Sequence, residues 1–431
     1  MTDPIRILLV GNGGREHALA WKLVQSPRTA HIYVCPGNGG TATLSCKVSN
    51  VTSIKDSDFA SLLTFAKEHH VNLLIPGPEA PLVAGIVDFF RENGYTGAIF
   101  GPSRSAARME GSKTFSKDFM KRHSIPTAAY ENFSSYDAAA KYLDTVSHPV
   151  VIKASGLAAG KGVIIPQSKD EAHAALKGMM LAKEFGAAGD QVVIEEFLTG
   201  DELSILSFSD GTTIRSLPPA QDHKRIGDGD TGPNTGGMGT YAPTRIAPPD
   251  VLDKVDREIL QPTIDGMRAE GFEFKGVLFT GLMMTGQGAK VLEYNVRFGD
   301  PETQSLLALM DSDLVDVMLA CANGTLSSAP LKVSDKSAAT VVVAAAGYPG
   351  SYAKGTLMTL DKTPEHVVLF HAGTAFADGV FKTSGGRVIA ATATAATLED
   401  AVQRAYQGVG CIRFEGMQFR KDIAGRALKK S

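Results

Sequence analysis

Apolar runs of strand length recur through the first hundred residues, and each stops at glycine or proline. Residues 5–10 are apolar apart from Arg6 and stop at Gly11-Asn12-Gly13-Gly14, after which a helical stretch runs to Leu23. Residues 32–34 stop at Pro36-Gly37-Asn38-Gly39-Gly40, residues 71–75 at Pro76-Gly77-Pro78-Glu79, and residues 98–100 at Gly101-Pro102-Ser103. Four short strands alternating with helices predict a doubly wound parallel sheet. Ligands on such sheets collect beyond the carboxyl ends of the strands, which is where these glycines lie.

The pattern changes after residue 110. Gly111-Ser112-Lys113 opens a predicted helix to Arg122, broken at Ile125-Pro126-Thr127. Two β-branched runs, 149–152 and 163–165, flank KASGLAAGKGV (residues 153–163), which predicts a hairpin with a mobile glycine-rich tip. Ser168-Lys169-Asp170-Glu171 reads as a capping box, opening a helix with Ala172, Leu176, Met179 and Met180 on one face. A strand follows over 192–197. Residues 218–243 hold hardly an apolar residue and no period. So long a structureless stretch inside a compact domain is usually functional or disordered, and an ordered binding loop is expected. Strands 276–285 and 289–297 then form a hairpin about Gly286-Gln287-Gly288. A period of two places Val291, Glu293, Asn295 and Arg297 on one face. The last hundred residues carry β-rich runs at 339–346, 366–371 and 387–391, then a helix capped by Thr397. They read as a packing domain that completes a cleft.

Composition narrows the class. With 43% hydrophobic and 21% charged residues the chain is an ordinary globular one, long enough for several cores. A net charge of −3 with no block of like charges leaves no field for nucleic acid, so any phosphate site is local. Cys35, Cys46, Cys321 and Cys411 are scattered without a C-x-x-C pair, which suggests neither a disulfide framework nor a zinc knuckle. No run approaches the roughly 18 apolar residues of a membrane helix, and the first apolar run is too short for a signal peptide. A cytoplasmic protein without membrane or nucleic-acid partners is expected.

Two glycine motifs fail their familiar forms. In residues 153–163, Gly156 and Gly160 are separated by three residues rather than four, and Gly162 follows Lys161 where a P-loop needs a hydroxyl. At the N-terminus Glu16 stands where a dinucleotide fingerprint needs its third glycine, and no acid lies in residues 31–35. Glycines before a helix still offer N–H groups to a phosphate or carboxylate; a tight turn without ligand is the alternative. Glu293 and Asn295, with Asp300 and Glu302 just beyond, supply the hard oxygens that Mg²⁺ prefers alongside substrate phosphates. A solvated strand face with a salt bridge is the alternative there.

Read together, GNGGREHALAWK, PGNGGTA, GPEAPLV, GSKTFSKDFM, VIKASGLAAGKGV, VVIEEFLTGDE, QDHKRIGDGDTGPNTGGMG, NVRFGDPETQ, FHAGT and RKDI resemble the glycinamide ribonucleotide synthetase family of the ATP-grasp superfamily, in order, from about residue 5 to 426. The resemblance implies an α/β chain of four parts: an N-terminal doubly wound parallel sheet domain (1–110), an ATP-grasp α+β lid with a glycine-rich flap (111–192), an ATP-grasp core with the nucleotide and metal site (193–330), and a β-rich C-terminal packing domain (331–431). It implies ligation of glycine to 5-phosphoribosylamine, with ATP and Mg²⁺ (or Mn²⁺), through a glycyl phosphate. Lys113 and Lys153 would contact ATP phosphates under a flap that includes Gly160, Lys161 and Gly162. Glu195, Glu196, Phe197 and Leu198 would line the adenine, with Glu202 on the ribose and Arg225 and Asn234 in the nucleotide loop. Glu293 and Asn295 would bind the metal. Arg297 and Lys153 would carry catalytic roles, and Gly11, Asn12, Gly13, Gly14, Asp222, Lys224, Arg297 and Asp300 would face the substrates. Ser155 stands where the family commonly has Asp, and Tyr294 where Phe is usual. His223 reads as a hydrogen-bonding or ribose-contacting group rather than an acid or base. A fused or associated purine-pathway enzyme is the implied partner. A sibling ATP-grasp ligase or carboxylase of purine metabolism, and a nucleotide-binding module without catalysis, are the competing readings.

Overall fold

Ile5–Gly11 is buried at every position but Arg6. In the computed structural model, which describes residues 4–158 and 161–428, it is the central strand of a five-stranded parallel sheet. Thr29–Pro36 and then Val48–Asn50 extend the sheet on one side, Leu73–Pro76 and Ala98–Ile99 on the other. Val48–Asn50 adds a fifth strand to the four expected. It is three residues long with only Val48 buried, too short to show a period. The carboxyl ends of Ile5–Gly11 and Leu73–Pro76 lie side by side, which brings Gly11 next to Gly77.

A four-stranded antiparallel sheet forms the lid, in the order Tyr130–Phe133, Val192–Glu196, Val150–Ala154, Val163–Ile164. Tyr136–Thr145 and Lys169–Met180 cover it, sharing a core of Leu143, Ile152, Leu176, Met179 and Ile194. Ser168 caps the second helix at the Glu171 N–H. Glu171 turns its carboxylate to the Gln167 N–H, so the capping box is only half closed. Val192–Glu196 is an inner strand here, so the division expected after residue 192 falls inside a strand and the lid reaches residue 196.

The core sheet is antiparallel in the order Ile214–Ser216, Asp201–Asp210, Lys275–Thr285, Gly288–Asn295. Gly281 pairs with Glu293 while its neighbour Leu282 pairs with Val291, leaving Leu292 as a bulge. One inserted residue reverses the alternation. Val291 is therefore buried with Tyr294 and Val296, and not on the face of Glu293 and Asn295 as a strict period of two requires. The Tyr294 hydroxyl meets Thr263 Oγ1 at 2.8 Å, so the hydroxyl beyond phenylalanine is satisfied.

Residues 218–243 are not a structureless loop. Gln221–Asp222 and Gly239–Ala242 pair with each other, and Arg225–Gly227 and Thr231–Asn234 form a two-stranded ribbon between them. Gly239–Ala242 also pairs with Ser337–Ala344, so this segment begins the C-terminal sheet, continued by Arg387–Ala395 and Val367–His371. Leu398–Val409 packs on that sheet through Leu398, Ala401 and Ala405. One core containing Ile7, Leu9, Leu19, Phe208, Phe279, Phe298 and Leu306 runs from the parallel sheet into the core sheet. No helix among the described residues is long and apolar enough to cross a membrane.

Candidate functional site

Lys153 is the last residue but one of strand Val150–Ala154, beside the start of helix Lys113–Arg122. Ser112 caps that helix at the Phe115 N–H, 3.2 Å away. The Lys113 N–H donates to Ser155 O at 2.9 Å and its Nζ to Gly156 O at 3.4 Å. Ser155 Oγ accepts from the Thr114 N–H at 3.2 Å and lies 3.0 Å from Thr114 Oγ1. A neutral hydroxyl thus ties the flap's first strand to the helix. In the flap, Lys161 is exposed and Gly162 O accepts from the Ala154 N–H at 2.8 Å; Gly160 lies outside the described residues.

Lys153 Nζ stands 2.6 Å from Glu195 Oε1 and donates to the bulge carbonyl, Leu292 O, at 3.2 Å. Lys117, a residue the motifs did not single out, donates to Glu195 Oε2 at 2.7 Å. The Glu195 side chain, expected at the adenine, is instead 2% exposed between two lysines. Burial pushes its carboxyl up, but Lys153 and Lys117 hold it below the ordinary value. Glu196 accepts from the Ala129 N–H at 3.0 Å and pairs with Lys290 at 3.1 Å. Phe197 is 41% exposed and Leu198 half-buried just past the strand end.

Glu293 and Asn295 face the same region. Burial raises the Glu293 carboxyl, yet Lys224, Lys153, Lys113 and Arg297 together draw it below its ordinary value. Asn295 Nδ2 donates to Glu110 Oε1 at 3.2 Å and Tyr294 O at 3.1 Å, which leaves its oxygen as the end for a cation. Among the described residues no three His, Cys, Asp or Glu side chains cluster to hold a metal. One carboxylate and one amide oxygen are still a hard pair that fits Mg²⁺ or Mn²⁺ when phosphates and water complete the shell.

Arg297 was expected to meet substrate. Its guanidinium instead spans Glu110 Oε1 at 3.0 Å and Glu79 Oε2 at 3.2 Å. Those two acids escaped sequence reasoning, although Glu79 sits in a glycine- and proline-ended loop that pointed to it. Lys224 pairs with Glu202 at 3.2 Å; that carboxylate raises the ammonium against the pull of burial. Burial, then the charge of Glu302, holds the Asp222 carboxyl well above its ordinary value. Arg225 turns back on its own ribbon, donating to Gly232 O at 2.7 Å opposite an exposed Asn234. His223 has both ring nitrogens engaged, with Gly239 O at 3.1 Å and the Ala424 N–H at 3.1 Å. It bonds within the protein, and no ribose contact is open to it.

The N-terminal glycine loop is largely satisfied from within. The Gly13 N–H donates to Glu16 Oε2 at 2.6 Å and the Arg15 N–H to Asp300 Oδ2 at 3.1 Å. Glu16 explains the glycines around it. A Cβ at Gly11, whose φ is +129°, would lie 2.6 Å from Glu16 Cγ, and one at Gly77 would lie 2.8 Å from Glu16 Cδ. Asn12 is exposed and Gly14 packs against Gln304. Asp300 also accepts from Gln304 Nε2 at 3.0 Å, and its backbone carbonyl accepts from Arg387 at 2.6 Å. Burial raises the Asp300 carboxyl, while Arg387 and Arg15 bring it below its ordinary value. Arg387 comes from the domain expected only to pack, and its one signal was two glycines before it. The loop's N–H groups at Gly13 and Arg15 are thus not open to an outside anion. A cleft of about 540 Å³ lined by Arg91, Ser103, Arg268, Glu273 and Lys275 contains none of these residues.

Three family models match in succession: the phosphoribosylglycinamide synthetase N domain at 5–110, its ATP-grasp (A) domain at 111–303 and its C domain at 338–426. The bifunctional purine biosynthetic protein of Pichia angusta is 59% identical over 99% of this chain, which spans 54% of that protein. The chain thus spans about half the length of such curated relatives. The phosphoribosylamine–glycine ligase of Chlorobaculum tepidum is 47% identical over 98% of this chain and 100% of its own length. The crystal structure of phosphoribosylamine–glycine ligase from Thermotoga maritima superposes with a TM-score of 0.86 at 35% identity, covering 97% of this chain and 100% of that one. The biotin carboxylase domain of a Hydrogenobacter thermophilus 2-oxoglutarate carboxylase reaches 0.74 at 14% identity, over 97% of this chain and 92% of that one, a likeness of fold alone.

Proposed function

The chain belongs to the phosphoribosylglycinamide synthetase family, and from that membership we propose that it joins glycine to 5-phosphoribosylamine at the expense of ATP. The observation that carries the reading is the meeting of Lys113, Lys153 and Lys224 around Glu293, a set of cations facing a carboxylate with an amide oxygen beside it. A glycine carboxylate oxygen attacks the γ-phosphorus, the bond from that phosphorus to the β,γ-bridging oxygen breaks, and ADP leaves. The amine of phosphoribosylamine then attacks the acyl carbon of glycyl phosphate, the acyl C–O bond breaks, and the new amide nitrogen yields its proton to the departing phosphate. No side-chain nucleophile is needed, so placement and charge neutralisation supply the rate.

Lys113 and Lys153 are assigned to the transferred phosphates, with Lys161 and the flap glycines closing over them. Glu293 and Asn295 would hold Mg²⁺ or Mn²⁺, which when bound neutralises phosphate charge. Glu196, Phe197 and Leu198 are assigned to the adenine edge and Glu202 to the ribose. Arg297 acts by holding Glu79 and Glu110, and Asp222, Lys224 and Asp300 are placed on the substrate side. The yeast relatives carry this unit within longer bifunctional proteins, and a fused or associated purine-pathway enzyme is proposed as partner, in the cytoplasm. The test is ADP release with Mg-ATP, glycine and freshly generated phosphoribosylamine, omitting each in turn. Release that needs all three is expected. Release indifferent to glycine would transfer the chain to a sibling ligase.

A further inference from the structure

Lys117 has no part in the mechanism above, yet its side chain is 3% exposed, one helical turn after Lys113. Its ammonium is held by Glu195 Oε2 at 2.7 Å and by Thr127 Oγ1 at 2.7 Å, and Thr127 in turn donates to Val291 O at 2.6 Å. Lys117 is therefore fixed at the seam between lid and core. A lysine is seldom buried without purpose, because an ammonium out of water costs several kcal/mol unless it is paired.

The pairing is uneven. Glu195 Oε2 takes an aligned hydrogen bond from Lys117. Glu195 Oε1 lies 2.6 Å from Lys153 Nζ, which also donates to Leu292 O at 3.2 Å. Lys153 thus divides its ammonium between Glu195 and a backbone carbonyl, while Lys117 binds the carboxylate's other oxygen. Two ammonium groups share this one carboxylate, so Glu195 by itself does not neutralise both. Were Lys117 neutral, Lys153 would be the one ammonium among the described residues in direct contact with Glu195, with Lys113 bearing on it from further away, and a buried ion pair competes strongly with any outside partner.

We infer that Lys117 is a positioning residue that neutralises Glu195 and so leaves Lys153 available to nucleotide phosphates. The inference rests on the phosphate role proposed for Lys153. It differs from a purely structural role in one respect: the defect from losing Lys117 must pass through the Glu195 charge. Burial lowers the Lys117 ammonium to about 8, which leaves most of the population charged at neutral pH.

The experiment measures Mg-ATP affinity by titration calorimetry on the full chain, with thermal melts alongside, for the parent, Lys117→Met, Glu195→Gln and the double variant. Lys117→Met is expected to weaken Mg-ATP on the order of tenfold or more, the worth of one charge-assisted contact. Adding Glu195→Gln to it should restore most of that loss. Glu195→Gln alone should bind as tightly as the parent or tighter. Parent-like affinity in Lys117→Met, or a double variant no better than the single, overturns the inference. If Lys117→Met fails to fold, weakened binding in Glu195→Gln overturns it equally. A parent chain that binds Mg-ATP but forms no product removes the ligase reading and leaves this one standing; a parent that binds no Mg-ATP removes both.

Discussion

Glu293 is placed to answer the question of charge at the site. Lys224, Lys153 and Arg297 all bear on it, yet they close their ion pairs on Glu202, Glu195 and Glu110 instead. Glu293 is thus ionised by its neighbours but not consumed by them, the state a metal-binding carboxylate needs. Glu293→Ala is expected to lower kcat by about 10²-fold or more with the melting temperature little changed, measured as ADP release beside a thermal melt. Full activity in that variant would refute the metal assignment. That Lys113 and Lys153 would gather near Glu293 could be read from the sequence, because lysines set among glycines have no packing explanation. Lys117 and Arg387 could not, since a lysine inside a helix and an arginine at a strand start look like solvated surface. Glu195 was visible but its pairing with two lysines was not, because strand position alone does not say which neighbours will claim a side chain.

The turn between strand Ile5–Gly11 and helix Gly14–Leu23 shows how one element constrains the next. Glu16 is 1% exposed and folds back over the strand ends to reach the Gly13 N–H and, at 2.5 Å, Arg15 Nε. Its carboxylate occupies the space that side chains at positions 11 and 77 would fill. Gly77→Ala must displace a buried, hydrogen-bonded acid and should cost about 2 kcal/mol, read as a lower urea midpoint with the slope retained. An unchanged midpoint would mean that Glu16 can move without loss. The parallel sheet itself was legible because each main strand ends in glycine or proline. The bulge at Leu292 was not, since an inserted residue leaves no mark in an apolar run, and it inverted the face assigned to Val291. Nor was the pairing of Gly239–Ala242, whose partner strand lies far along the chain; local pattern cannot report a hydrogen-bond partner that distant in sequence.

The N-terminal and C-terminal domains meet through two histidines that must stay neutral. The His371 N–H donates to His17 Nδ1 at 2.8 Å, His371 O accepts from Asn38 Nδ2 at 2.9 Å, and the His17 ring stands edge-on to Phe370 at 5.7 Å. Burial, then the neighbouring His371, pushes His17 well below its ordinary 6.5, and burial lowers His371 to about 4. At the tail, burial and then Arg420 lower His223 to about 4. In each case the folded pKa lies below the unfolded one. The unfolded chain therefore takes up protons first as pH falls through 6.5, and the contribution present above that value is lost progressively down to about 4. Most carboxylates remain ionised between pH 6.5 and 5, and the buried acids held above their ordinary values, Asp222 foremost, act with the opposite sign and offset part of the loss. Each buried imidazole then costs up to about 2 kcal/mol of stability by pH 5, so the urea midpoint should fall steeply across this window. Burial lowers His31 as well, so His371→Gln removes one of four such histidines and should make that fall shallower by about a quarter. A slope equal to the parent's would show that His371 takes up its proton as readily in the folded chain as in the unfolded one, and that docking of the two domains does not depend on its neutrality.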